Sequence, residues 1–359
     1  MGKFTWTVVT VIYVLLVIAI ASIFVSEFLL KEKPKERFFE VPQVSKPVVV
    51  SAPQEVKTEE PKFIPAPKTE LKYIKGLIIN PRTKNVDYIS AIKDAKRLGA
   101  NLITIALEME VNEKGGIEFS GRPGFEWKPV AIAMINEAHR QGMHVELRTI
   151  AVPETKMPLN STGYTNYAGK FFQELGDFAQ EYQVYLLTIY ENIEDDHNMG
   201  LYKDSIGPAL RVFLGNATKF YKGEVGVGLS EKTFFEDRKP YDVSGYDYVL
   251  LNSYPRYPTV PWGDYHLRIN EYVIAAKPIK QQQGIKRLIL GGFGLNSNAG
   301  APYYTSIVVT QEQEKRSYEL IFEKQANQTD GFTVAYATRV YGVKDRMAEQ
   351  AVREWYGKL

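Results

Sequence analysis

The 359-residue sequence predicts an α/β fold, a (β/α)8 TIM barrel preceded by one transmembrane helix and a Pro-rich stalk, and three observations predict it. From about residue 72 onward, eight short apolar runs are interleaved with helical patterns, in a length close to the ~250 residues such a barrel needs. No glycine-rich phosphate loop comes after the first apolar run. Asn80-Pro-Arg-Thr83 stands there instead, which argues against an open doubly wound sheet with the same local pattern. Ahead of the alternation lie a run without charge, Phe4 to Ser26, and a stretch, 31–70, with seven prolines.

Composition narrows the chemistry. Basic and acidic residues number 44 and 42, a net charge of +2, so nothing in the balance calls for nucleic acid. The absence of cysteine rules out disulfides, thiolate metal sites and a cysteine nucleophile. The four histidines, His139, His144, His197 and His266, show no metal-ligand spacing, and His139 and His144 read as structural. Glu194-Asp-Asp-His197 lacks the repeated ligand spacing of a calcium loop. No P-loop and no nucleophile-elbow serine is present, so neither a metal nor an organic cofactor is expected.

Taken in order, residues 1–30 form the expected anchor. Phe4 to Ser26 at 1.5 Å per residue would cross a ~30 Å hydrocarbon core. A cleavable signal peptide is the rival reading, since Ala19-Ile-Ala21 is a small-x-small site, but the apolar run continues past it. Lys31, Lys33, Lys35 and Arg37 would keep the C-terminal part in the cytoplasm under the positive-inside rule. Acceptor sequons at Asn160, Asn216 and Asn327 point the other way. The expectation is a single-pass protein of the cell membrane with its folded domain outside the cytoplasm. Residues 31–70 read as a semi-extended linker holding that domain, 71–359, off the membrane.

Within the domain, strands are expected at Tyr73–Asn80, Asn101–Leu107, His144–Thr149, Val184–Glu191, Lys222–Leu229, Tyr246–Asn252, Arg287–Gly291 and Gly331–Tyr336. Helical patterns fall at Val86–Leu98, Pro129–Gln141, Tyr164–Tyr182, Pro208–Tyr221, Ile269–Gln283, Gln311–Gln325 and Asp345–Tyr356. In such barrels the site lies at the carboxyl ends of the strands. The residues there include Glu108, Arg148, Glu154, Glu191, Asn192, Glu231, Asn252, Tyr254 and Trp262. Carboxylates among tyrosines and tryptophans suit a carbohydrate, whose apolar faces stack on rings and whose hydroxyls pair with polar groups. Cleaving a glycosidic bond takes one carboxyl as proton donor and a second as nucleophile or base. Glu191 is the first choice as acid/base, with a solvated loop acid as the plain alternative. Glu231 is a weaker catalytic candidate. Arg148, Asn192, Asn252, Tyr254 and Trp262 are candidate substrate contacts.

The chain resembles the clan of barrel glycosidases that includes cellulases, β-galactanases and β-mannanases. The residues that carry the likeness are Gly99-Ala-Asn-Leu-Ile103, Pro129 to Val145, Tyr246 to Tyr254 and Glu349 to Tyr356. The resemblance implies an acid/base glutamate at the end of the fourth barrel strand, which is Glu191, preceded here by Tyr190 where the clan often has Asn. It also implies a nucleophilic glutamate at the end of the seventh, where this sequence has Gly292. Another rim acid such as Glu231, Glu154 or Glu108, hydrolysis by inversion or substrate assistance, and a barrel that only binds glycan are the three ways to read that departure.

Overall fold

The computed structural model describes residues 63–81, 83, 86–111, 117–119, 126–151, 161–191, 203–235, 241–253, 262–295, 309–338 and 342–359. The expected anchor, most of the stalk, and the candidates Asn192 and Tyr254 lie outside them. No helix among the described residues is long and apolar enough to cross a membrane.

Nine strands run in chain order as β1 (Ile74–Ile79), β2 (Leu102–Val111), β3 (Ile117–Phe119), β4 (His144–Ala151), β5 (Leu186–Glu191), β6 (Glu224–Ser230), β7 (Tyr248–Ser253), β8 (Arg287–Phe293) and β9 (Gly331–Ala337). Eight of them pair in parallel, and β1 meets both β9 and β2, which closes the ring. The short β3 folds back antiparallel on β2, a hairpin that the helix-strand alternation does not announce. The helices are α1 (Tyr88–Arg97), α2 (Trp127–Arg140), α3 (Ser161–Glu181), α4 (Lys203–Ala217), α5 (Glu231–Phe235), α6 (Tyr265–Gln282), α7 (Gln311–Gln325) and α8 (Met347–Lys358). The expected (β/α)8 barrel is therefore the observed one.

Local chemistry sets the helix ends. Asp87 caps α1 by accepting from Ser90 N at 3.0 Å. Thr310 and Gln313 form a capping box on α7, each side chain accepting from the other's backbone N–H. One boundary differs from expectation: α4 begins at Lys203, five residues before Pro208, and carries that proline internally without the backbone bond proline cannot donate.

Two layers of packing hold the barrel. Between strands and helices runs the main apolar core, with residues such as Ile103, Val145, Ile189, Phe213, Leu290 and Phe332 fully buried. Inside the ring, a smaller apolar floor is made by Leu71, Ile74, Leu102, Leu186, Tyr248, Leu250 and Ile289. Residues 63–71, read from the sequence mostly as the end of the linker, lie against the barrel as a strap. Ile64 N donates to Asn136 Oδ1 at 2.9 Å, His139 Nδ1 pairs with Ile64 O at 2.8 Å, and Leu71 N donates to the Tyr185 hydroxyl at 3.2 Å. These partners sit at the end of α2 and just before β5, so the strap covers the amino-terminal end of the barrel. His139 and His144 serve this packing, both buried, with His144 against the Tyr185 ring at 4.4 Å.

Candidate active site

Above the apolar floor the barrel interior turns polar. Glu146 and Arg148 stand two apart on β4 and so point to the same side, which here is the inside of the ring. Both side chains are fully buried. Arg148 donates Nε and Nη2 to the two oxygens of Glu146 at 3.0 and 2.9 Å, the forked geometry that suits a guanidinium and a carboxylate. Thr104 of β2 and Thr188 of β5 also donate to Glu146, and Arg148 Nη2 reaches Thr333 of β9 at 2.8 Å. The pair is thus hydrogen-bonded to three other strands. Tyr248 joins at Thr188, 2.8 Å away, and Gly226 leaves the space its ring fills. Arg148, a rim residue by sequence, is in fact one layer deeper, where Glu146 matches its charge.

Glu191 ends β5 and is 7% exposed. Strict alternation from Leu186 and Thr188 would send residue 191 outward. A register irregularity between β4 and β5 resets the parity, and Ile150 pairs with Glu191. Tyr190 turns outward to pack near Phe172 and Phe213. Glu191 Oε2 then lies 3.8 Å from Arg148 Nη1, an ion-pair distance. Asn252, at the end of β7, is also buried. The two approach each other across Gly228 of β6: a Cβ there would fall 2.7 Å from Asn252 Nδ2 and 2.9 Å from Glu191 Cα, closer than a side chain allows. Glu191 and Asn252 are therefore brought together at the mouth, with Arg148 in the layer below them.

Glu231 is placed differently. It opens α5, directly after β6, with both oxygens held: Ser253 Oγ donates to one, and Arg268 Nε to the other at 3.0 Å. Arg268 lies on α6 and stacks over the Phe235 ring at 3.7 Å. Trp262 begins a short 3-10 turn and is half-buried against the core. A further carboxylate at the rim is Glu108 of β2, which accepts from Asn80 Nδ2 at 2.6 Å. At the end of β8, Gly292 has φ +79°, a left-handed conformation that side chains resist. The missing carboxylate of the seventh barrel strand is thus accompanied by a different backbone.

The residue missed by sequence reasoning is Glu146. Its signal was present: His144, Glu146 and Arg148 alternate on one face of a strand expected to be buried on both. Among the described residues, no group of three or more His, Cys, Asp or Glu could hold a metal ion.

No protein-family model matches the sequence, and no characterised protein matches it in sequence. In three dimensions the chain is similar to a GH113 β-1,4-mannanase, at TM-score 0.59 and 15% identity over 80% of this chain and 100% of that one. It is similar to the GH113 β-mannanase of Alicyclobacillus acidocaldarius in complex with ManMIm, at TM-score 0.60 and 13% identity over 80% and 98%. It is also similar to a β-glucuronidase of Faecalibacterium prausnitzii, at TM-score 0.58 and 11% identity, where it matches 49% of that longer chain. At such identities the likeness establishes the fold. The expected resemblance to the (β/α)8 glycoside hydrolases holds at that level, with the closed eight-stranded parallel barrel common to both.

Proposed function

We propose that the protein acts on polysaccharide or glycoconjugate as a membrane-anchored glycoside hydrolase, with Glu191 as general acid/base. The observation that carries this reading is the setting of Glu191: a nearly buried carboxylate at the carboxyl end of a barrel strand, beside Asn252 and within ion-pair distance of Arg148. The fold shared with mannanases and endoglucanases agrees with it.

In this role Glu191 gives its proton to the glycosidic oxygen as the bond to the leaving sugar breaks; with a nucleophilic second carboxylate it then takes a proton from the water that frees the glycosyl-enzyme, and with a basic one that carboxylate takes the water proton instead. Arg148 acts through Glu191, holding it in position, since its own guanidinium is fully buried. A second carboxylate must serve as nucleophile or base. Gly292 supplies none, so Glu231 and Glu108 are the described candidates. Asn252 and Trp262, with Asn192 and Tyr254 from outside the described residues, would contact the sugar. The uncharged run Phe4 to Ser26 is the proposed single-pass anchor, and the proline-rich stretch after it the stalk that presents the barrel outside the cytoplasm.

The test is hydrolysis of mannans, glucans, galactans and chitin oligomers by the full-length protein in detergent, with Glu191→Gln and Glu231→Gln alongside. Loss of turnover by about 10²- to 10⁴-fold in Glu191→Gln, with unchanged melting, is the expected result. Turnover that survives in Glu191→Gln removes Glu191 from the mechanism. Glycan retention on affinity gels without hydrolysis would replace the hydrolase by a binding barrel, and neither activity would end both readings.

A further inference from the structure

The strap is held in two different ways. Leu71 is its only buried residue, set in the apolar floor with its carbonyl on Arg287 Nη1 at 2.8 Å. Residues 63–70 lie outside that floor. They are fastened by the Ile64 and Ala66 N–H groups, on Asn136 at 2.9 Å and on Gln183 at 3.0 Å, and by the Phe63 ring set edge-on to Tyr182. A segment with so little buried surface opens locally well before the whole fold does.

Two imidazoles lie under this segment. His139 Nδ1 is 2.8 Å from Ile64 O, and a carbonyl only accepts, so the proton is on Nδ1 and Nε2 is bare. That Nε2 is shut off from water and has no hydrogen-bond partner. His144 faces the Thr69 backbone of the strap and lies against the Tyr185 ring. Its ring nitrogens are also shut off from water, with no partner at hydrogen-bond geometry. A further proton on either ring would create a buried charge with nothing to match it.

The charged groups around the pair are occupied or turned away. On α2, Glu137 is taken by Arg140 and Gln141. On β4, Glu146 is held by Arg148. The Tyr185 hydroxyl accepts from Leu71 N and from Arg287, and Arg287 is matched by Glu224. Glu181 at the end of α3 and Lys68 and Glu70 of the strap are exposed, Glu70 being 3.8 Å from Arg287. Burial holds both rings below the ordinary histidine range, by more than the strap backbone restores, and a charge on His144 would repel one on His139. When the strap opens, both rings meet water and titrate near the ordinary 6.5. Opening therefore takes up protons, so it is favoured as pH falls below about 6.5 and suppressed above it.

We propose that His139 and His144 make residues 63–70 an acid-released latch, docked on the barrel at neutral pH and freed in acid, with Leu71 as the hinge. Once freed, the segment adds about 25 Å of extended chain between the barrel and whatever precedes Phe63. The latch is at the end of the barrel away from the mouth and does not depend on any activity of Glu191.

The test is hydrogen–deuterium exchange of the full-length protein in detergent at pH 7.5 and pH 5, each rate divided by the intrinsic rate at that pH. Peptides covering Phe63–Leu71 are compared with peptides from β7 and β8. His139→Gln and the double variant His139→Gln/His144→Phe run beside the parent. Glutamine keeps a donor for Ile64 O, and phenylalanine keeps a ring against Tyr185. In the parent, strap exchange should rise at least about fivefold from pH 7.5 to pH 5, while β7 and β8 stay protected. The ceiling is about 30-fold for each ring that gains its proton only on opening. The double variant should lose the rise, and His139→Gln should reduce it. A smaller rise in the parent, or a strap already unprotected at pH 7.5, would overturn the proposal. So would β7 and β8 exchanging in step with the strap, which is acid unfolding of the whole barrel, or a double variant that keeps the parent's rise. If the double variant does not melt cooperatively at pH 7.5, His139→Gln decides, and a rise equal to the parent's removes His139 from the latch and the proposal with it.

Discussion

At the amino-terminal end of the barrel, three acidic or amide side chains close gaps left by the sheet. Asp330 Oδ2 accepts from the Leu288 backbone N at 2.6 Å, Asp247 Oδ2 from Val225 N at 2.9 Å, and Asn101 Oδ1 from Lys75 N at 2.8 Å. These residues sit between elements and hold the first N–H groups of neighbouring strands. Arg287 binds Glu224 at 2.8 Å and the Leu71 carbonyl at 2.8 Å, joining two strands and the strap. At the carboxyl end three described carboxylates are engaged by side chains, with no strand N–H shown on them: Glu191 faces Arg148, Glu108 accepts from Asn80, and Glu231 takes Arg268. The difference teaches where polar groups are devoted to backbone order and where they remain available for chemistry. It matches the division of labour of barrels, with stability at one end and the site at the other.

The largest expected effect comes from the layer between the two ends. Arg148→Met should lower unfolding free energy by about 3–5 kcal/mol, because it leaves the Glu146 carboxylate buried without its counter-charge. Urea titration of the parent and variant checks it, and a loss below about 1 kcal/mol would mean that the interior admits water. Next is the underside: Arg287→Met removes its bonds to Glu224 and Leu71, and should cost about 2–3 kcal/mol in the same titration while leaving glycan turnover or binding intact. A change in turnover larger than the change in stability explains would break the comparison.

At the mouth, Gly292→Glu restores the residue type of related barrels on a left-handed backbone. It should destabilise by about 1–2 kcal/mol and add no hydrolysis. A gain in turnover would show that the seventh strand's end is still competent. The smallest effect concerns the strap. Burial lowers the pKa of His139 below its usual 6.5, only partly offset by the bond to Ile64 O, and His144 is lowered in the same direction. The unfolded chain then binds protons that the folded one does not. Stability should be complete above the unfolded pKa of about 6.5 and fall as pH drops through and below it. Melting temperatures from pH 7.5 to pH 5 measure this, and His139→Gln should reduce the slope.

The barrel was legible because its eight parallel strands are short apolar runs and its longer helices carry their own period, two of them with a side-chain cap at Asp87 or Thr310. Arg287–Phe293 and Gln311–Gln325 begin where the sequence places them. The site was legible only in part. That Glu191 ends a strand is implied by the run before it, but that it faces inward depends on an irregularity in pairing with β4, which no local pattern encodes. The Glu146–Arg148 pair is local, yet its partners Thr104, Thr188 and Thr333 are brought to it only by ring closure. Glu231 was visible as an acid after a strand, while its engagement by Arg268, 37 residues away, was not.

The strap carries a mechanical consequence. Chain arriving from before Phe63 meets the barrel at Asn136, His139, Gln183 and Tyr185, all at the amino-terminal end. Tension transmitted through that chain enters at these bonds and is shared with α2 and the turn before β5. It reaches Glu191 only through the full depth of the barrel wall, so a pull on residues 63–71 is borne by the end of the barrel away from the mouth.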